Sequence, residues 1–288
     1  MQDAESLDAL LPAQIARKAE DIGVAKGNMD ALSMFLLAVL AGAFIAMGAV
    51  FSTTAITGAE GLPWGVTRVL AGLTFCLGLI LVVVAGAELF TGNNLLVMAF
   101  VSGKLSGRKL LRNWTIVYLG NFCGAMATAA LIFASGQYKM LGGELGLTAL
   151  KIAQSKCMLT PMEALVRGIY CNALVCLAIW LCFSARTTTG KIAAILFPIT
   201  AFVAAGFEHS IANMYFVPIG LFIKSGAPDW FWQTPGASHL AFDQPTWAGF
   251  MLGNLLPVTI GNIIGGSGFV GVIYWTIYAR KNSHEVTR

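Results

Sequence analysis

Residues 86–93 read GAELFTGN and residues 206–213 read GFEHSIAN. Both fit G-x-E-x-x-x-x-N, 120 positions apart, and each follows a long apolar run, LTFCLGLILVVVA (73–85) and AAILFPITAFVAA (193–205). A second pair recurs in the same order. NWTIVYLGNFCG (113–124) and NLLPVTIGNIIG (254–265) share N-x-x-x-V-x-x-G-N-x-x-G, 141 positions apart. Two ordered matches point to an internal repeat.

Composition says what the repeat is made of. The 288 residues are 57% hydrophobic and 11% charged, with mean hydropathy +0.75. A soluble domain carries roughly 25% charged residues, so this chain is read as a multi-pass membrane protein. Spanning helices need about 20 apolar residues. Six runs qualify: 31–53, 66–100, 112–135, 162–184, 188–224 and 250–280. The second and fifth are too long for one clean span and carry polar residues in the middle. Three spans per half is odd, so the second copy enters upside down, the inverted-repeat plan in which sites form from broken helices.

Lysine and arginine orient the chain. Lys104, Arg108, Lys109 and Arg112, then Arg186 and Lys191, fall on one side with the tail residues Arg17, Lys18, Lys26, Arg280, Lys281 and Arg288. Arg68, Lys139, Lys151, Lys156 and Lys224 fall on the other. Both termini are expected in the cytoplasm. The first 28 residues lack a signal-peptide pattern. The spacing of Leu10, Leu11, Ile15, Ala19 and Ile22 fits either an amphipathic helix, about residues 6–22, lying at the membrane surface or against the bundle, or a solubilising tail. Cys76, Cys123, Cys171, Cys176 and Cys182 sit in apolar runs and Cys157 in a loop, with no C-x-x-C pair and no disulfide pattern. A net charge of +4 is too dispersed to suggest a nucleic-acid partner, so none is expected, nor a cofactor or metal.

The two G-x-E motifs read as breaks, because bare backbone within a bilayer is tolerated only where protein or a water-filled cavity covers it. Each second half-helix is expected to begin near the bilayer midplane, around Leu95 and Ala212, with both positive dipole ends converging and favouring an anion. A carboxylate there needs a partner. Each half supplies a matching set: Lys26, Glu88 and Asn93; Lys156, Glu208 and Asn213. They either pin the breaks or draw anions to the mouths. His209 departs from the repeat, since its mate is Leu89. At a break beside a pore, a histidine reads as a proton donor or ion contact. The other two, His239 and His284, lie in a loop and the tail. Thr91 can hydrogen-bond the His209 ring, and Asn172 is a second polar group in an apolar run; either could instead bond a neighbouring helix.

AGAELFTGNNLL, AGFEHSIANMYF and the six-span plan resemble the formate–nitrite transporter family, over nearly the whole chain. TPMEALVRGIYCNALVCLAIW, FVAAGFEHSIANM and LLPVTIGNIIGG are most similar to its formate channel branch. Gly92 and Glu88 depart from the family pattern, which favours a small hydroxyl residue and aspartate there. The resemblance implies an all-α membrane protein with an aquaporin-like protomer of six transmembrane helices in two inverted three-helix repeats, the second and fifth broken. It implies a homopentamer in the bacterial inner membrane, with one pore per protomer. It also implies a central His209 backed by Thr91 and Asn172. Apolar constrictions are then expected at Phe75 and Phe202 on the outer side, and at Leu79, Leu89, Phe90 and Val175 on the inner side. Residues 1–28 would form an N-terminal cytoplasmic segment, 29–282 the channel and 283–288 a tail.

The expected function is passive or proton-linked transport of formate or a similar small monovalent anion across the bilayer. Nitrite, hydrosulfide or lactate would serve in formate's place. A bare anion crosses an apolar constriction at high cost, whereas one that takes or shares a proton at His209 does not. An intramembrane serine protease is a remote alternative: GGSG (265–268) would offer Ser267 to His209. Water channels need paired Asn-Pro-Ala motifs, which are absent, and ammonium channels need two pore histidines.

Overall fold

A computed structural model describes residues 9–238 and 240–280. His239, His284, Lys281, Arg288 and the expected tail 283–288 lie outside the described residues, as do residues 1–8 of the N-terminal segment. The described residues are helical, without strands.

Helix α1, Pro12–Asn28, starts with proline at its first position, where no amide hydrogen is needed. The expected amphipathic helix is therefore present, but it starts and ends later than 6–22. The other helices follow: α2 Ala31–Ile56, α3 Trp64–Ala85, α4 Phe90–Val101, α5 Gly107–Ala134, α6 Glu144–Cys157, α7 Pro161–Ser184, α8 Thr188–Ala204, α9 Ser210–Gly226 and α10 Gly249–Tyr278. Caps explain several starts. Asp30 accepts from Ser33 N–H at 2.9 Å, Thr187 from Gly190 N–H at 3.0 Å, and Thr160 with Glu163 closes a capping box. Five helices are long and apolar enough to span a membrane: α2, α3, α5, α7 and α10. The remaining span, fifth along the chain, is the pair α8 and α9. Helix α6 was not expected from the sequence, and Cys157 is its last residue rather than part of a loop.

The second and fifth spans are broken, as expected, but earlier than expected. Helix α4 restarts at Phe90 and α9 at Ser210, not at Leu95 and Ala212. The apolar residues that follow each break concealed its position, because a helix can start on any of them once its first amides are satisfied. A glycine with positive φ lies in each break, Gly86 at 82° and Gly206 at 74°. Helix α3 already has 22 residues, about 33 Å at 1.5 Å per residue. Gly86 must therefore redirect α4 rather than prolong α3.

The inverted repeat pairs α2–α5 with α7–α10. Glu88 N–H donates to Leu37 O and Glu208 N–H to Arg167 O, each at about 3.2–3.3 Å. Asn121 accepts from Phe90 N–H and donates to Ala38 O and Glu88 O. Asn262 accepts from Ser210 N–H and donates to Gly168 O and Glu208 O. Every partner in the first set has its counterpart in the second. Close helix contacts match too: a Cβ at Gly124 would collide with Val39 O, and one at Gly265 with Ile169 O.

One end of the bundle gathers α1, the turn after α4, the α7–α8 turn and the end of α10. Lys104 pairs with Glu20, Arg112 donates to Met29 O at 3.0 Å, and Lys18 donates to Phe183 O at 2.9 Å. The opposite end holds α6 and the segments 227–238 and 240–248, joined by Thr234 to Gly142 O and Lys224 to Asp243 O.

Candidate functional site

The two breaks meet inside the bundle. Leu89 and His209 are the N-cap residues of α4 and α9, with nearly the same extended backbone (φ −108°, ψ 124° and φ −107°, ψ 114°). Only the histidine side chain caps its helix: Nδ1 accepts from Ala212 N–H at 3.1 Å. An accepting Nδ1 carries no proton, so the ring proton is on Nε2. Nε2 then donates to Thr91 Oγ1 at 2.9 Å. Both residues are buried. The Phe202 ring stacks on the imidazole at 5.9 Å and meets Phe75 edge-on at 5.7 Å, while Phe75 stacks on Phe216 at 6.2 Å.

The helix ends carry less free positive charge than the sequence implies. Asn121 takes the first amide of α4 and Asn262 that of α9, while His209 takes a third. These three amides are therefore not free to bind an anion.

Each glutamate sits in an equivalent network. Lys26 Nζ lies 3.0 Å from Glu88 and donates to Asn93 Oδ1 at 2.9 Å; Asn93 in turn donates to Glu88 at 2.7 Å and to Asn113 at 3.0 Å. Lys156 Nζ spans both Glu208 oxygens at 3.0 and 3.1 Å, and Asn213 donates to Glu208 at 2.6 Å and to Asn254 at 2.7 Å. Lys156 also lies 5.3 Å from the Phe216 ring. Each lysine is thus neutralised by its own glutamate. Glu88 and Gly92, the two departures from the expected pattern, do not disturb this: Glu88 reaches both partners, and Gly92 has only Ile179 nearby.

Asn172 lies behind Thr91. Its amide donates to Asn94 Oδ1 at 2.9 Å, Asn262 O at 2.7 Å and Thr91 O at 3.3 Å, tying α7 to α4 and α10. Leu79, Leu89, Phe90 and Val175 share one apolar core with Phe75 and Phe202. The Phe90 ring packs edge-on against Tyr118 at 4.9 Å and Trp114 at 6.1 Å. Ser267, the remote nucleophile candidate, donates to Asn94 O at 3.0 Å, and no hydrogen bond joins it to His209 among the described residues.

Two cavities flank the buried histidine region. The one at the α1 end has a volume of about 300 Å³ and is lined by Lys18, Lys26, Glu88, Leu89 and Lys191 among others. The opposite one, about 290 Å³, is lined by Arg68, Phe75, Lys156, Arg167, Phe202 and His209 among others. Arg68, Arg167, Lys18 and Lys191 were not picked out from the sequence as lining groups. No repeat marks them, and a lysine near a helix end reads as an orientation signal.

Two charged chambers separated by a buried apolar core, in a fold of paired broken helices, define a membrane channel or transporter for a small solute. The chain belongs to the formate/nitrite transporter family, whose model matches residues 13–276. It is 44% identical to the formate channel FocA of Escherichia coli strain K12 over 99% of this chain and 100% of that one. The fold is similar to a solved pentameric formate channel with formate bound (48% identity, 86% of this chain and 97% of that chain, TM-score 0.82). It is also similar to an FNT family ion channel (28% identity, 92% and 98%, TM-score 0.79).

Proposed function

We propose that this chain is a formate channel, assembled as a homopentamer in a bacterial inner membrane with both termini cytoplasmic. The observation that carries the reading is the buried His209–Thr91 pair between two cation-lined chambers. Similarity to formate channels along the full chain favours formate over nitrite or hydrosulfide.

An anion entering either chamber meets the core of Phe75 and Phe202 or of Leu79, Leu89, Phe90 and Val175, which strips its water. At the centre, Nε2–H of His209 is the available donor, and Thr91 is the acceptor the anion replaces. A carboxylate has a proton affinity set by a pKa near 4, so full protonation requires the site to supply a proton. Nδ1 can bind that second proton only by giving up Ala212 N–H. Proton-linked passage therefore loosens the start of α9, and passage as an anion leaves it capped. Lys26, Glu88 and Asn93, with Lys156, Glu208 and Asn213, brace the two breaks; Asn172 holds the Thr91 carbonyl from behind. In this reading the chain divides into an N-terminal segment, 1–28, whose helix α1 packs on the bundle, and a channel domain, 29–282. Similarity to formate channels along the full chain supports transport as the activity, and Ser267, the protease candidate, donates to Asn94 O.

Radiolabelled formate uptake into proteoliposomes across a pH series, with nitrite as competitor, tests this. Saturable formate flux that nitrite inhibits weakly is expected; nitrite transport without formate flux overturns the substrate assignment. In His209→Phe protein, proton coupling should disappear. Coupling that persists removes histidine from the proton path.

A further inference from the structure

We infer that the chamber under α1 is an anion-binding site in its own right, formed by Lys18 and Lys191, and that its occupancy holds α1 in the docked position. The inference rests on the channel reading above and deepens it. Three lysines and one glutamate line this chamber: Lys18, Lys26, Lys191 and Glu88. The ion pairs among the described residues are Lys26–Glu88, Lys104–Glu20 and Lys156–Glu208. Glu88 is therefore used by Lys26, and among the described residues no carboxylate lies within ion-pair distance of Lys18 or Lys191.

The two lysines belong to different elements. Lys18 is on α1 and reaches Phe183 O at the end of α7, where the carbonyl end of a helix favours a cation. Lys191 is on the first turn of α8, across the same cavity. Burial, then the charges of Arg186 and Lys191, hold the Lys18 ammonium below the ordinary lysine pKa. These like charges repel while the chamber holds only water. A small oxyanion between them turns that repulsion into attraction to both. Because one cation travels with α1 and the other is fixed in the bundle, the anion bridges the helix to its seat. The cavity of about 300 Å³ accommodates a small carboxylate with part of its water.

Linkage sets the size of the effect. A ligand bound only by the docked state favours it by the factor 1 + [L]/Kd. The equilibrium for undocking therefore falls about tenfold when formate reaches about nine times its dissociation constant.

The experiment follows hydrogen exchange of the α1 amides, residues 12–28, in full-length pentamers. Sodium formate is titrated at ionic strength held constant with a bulky sulfonate. Wild-type protein is expected to show saturable slowing of about tenfold, with little change in Lys18→Gln or Lys191→Gln protein and retention of the response in Lys191→Arg. Assembly of each variant is checked by size-exclusion chromatography. Lys18→Arg and Lys191→Arg carry the comparison if a glutamine variant fails to assemble. Equal slowing in wild-type and both glutamine variants overturns the inference, because the anion then acts elsewhere. So does wild-type protein that transports formate with unchanged α1 exchange, and this outcome leaves the channel reading intact. Loss of formate flux in the wild-type preparation counts against the channel reading itself.

Discussion

His209 Nε2 and Thr91 Oγ1 lie 2.9 Å apart, joining two helix starts separated by 118 positions of chain. The opposite ring nitrogen caps α9 through Ala212 N–H. One imidazole thus links the repeats and closes a helix end, which fixes its tautomer.

That tautomer is directly observable. Nitrogen NMR of labelled histidine should show His209 as the Nε2–H form in the absence of substrate. Thr91→Val keeps the shape and removes the acceptor, leaving a buried donor at a cost of about 1–3 kcal/mol. A resting Nδ1–H form would contradict the hydrogen-bond assignment.

Asn121 and Asn262 make equivalent triple contacts with the two breaks. Replacing either with alanine strands two backbone groups at its break, the N–H of Phe90 or Ser210 and the carbonyl of Glu88 or Glu208, while Ala38 O and Gly168 O keep their helical bonds; the loss is on the order of 2 kcal/mol or more at about 1–3 kcal/mol each. Thermal unfolding of the two variants should show similarly large losses. A small loss for either would mean that water can substitute for the amide.

Gly124 and Gly265 face Val39 O and Ile169 O at backbone contact, whereas Gly253 has nothing within 4 Å of an added Cβ. Alanine at either of the first two should cost about 1–3 kcal/mol through forced helix separation. Gly253→Ala should be near neutral on the same unfolding assay. Equal effects at all three positions would refute the close-packing argument.

The Glu20–Lys104 pair is asymmetric: the lysine side chain is 46% exposed and the glutamate 5%. Lys104→Met leaves a buried carboxylate without its cation. Glu20→Gln leaves an ammonium that turns to solvent. The first change should loosen α1 more than the second, because removing one partner is costly when the survivor stays buried. Hydrogen exchange of residues 12–28 reads the difference, and faster exchange in the glutamine variant would reverse the assignment.

Much of this protein follows from patterns local to the chain. Hydropathy is a property of each run, so six spans could be counted and an interruption assigned to the second and fifth. The G-x-E-x-x-x-x-N and N-x-x-x-V-x-x-G-N-x-x-G pairs announced the inverted repeat, because each residue type serves a backbone need that recurs in the other half. The histidine stood out as the one ionisable departure from that repeat. Tertiary structure decided the rest. It set the restarts at Phe90 and Ser210, since a helix begins where partners such as Asn121 and Asn262 take its first amides. It neutralised Lys26 and Lys156 with their own glutamates and placed Lys18, Lys191, Arg68 and Arg167 on the chamber walls. A lysine's sequence neighbours do not reveal whether a distant carboxylate reaches it. Charge balance in a cavity depends on distances between elements, which only the folded chain determines.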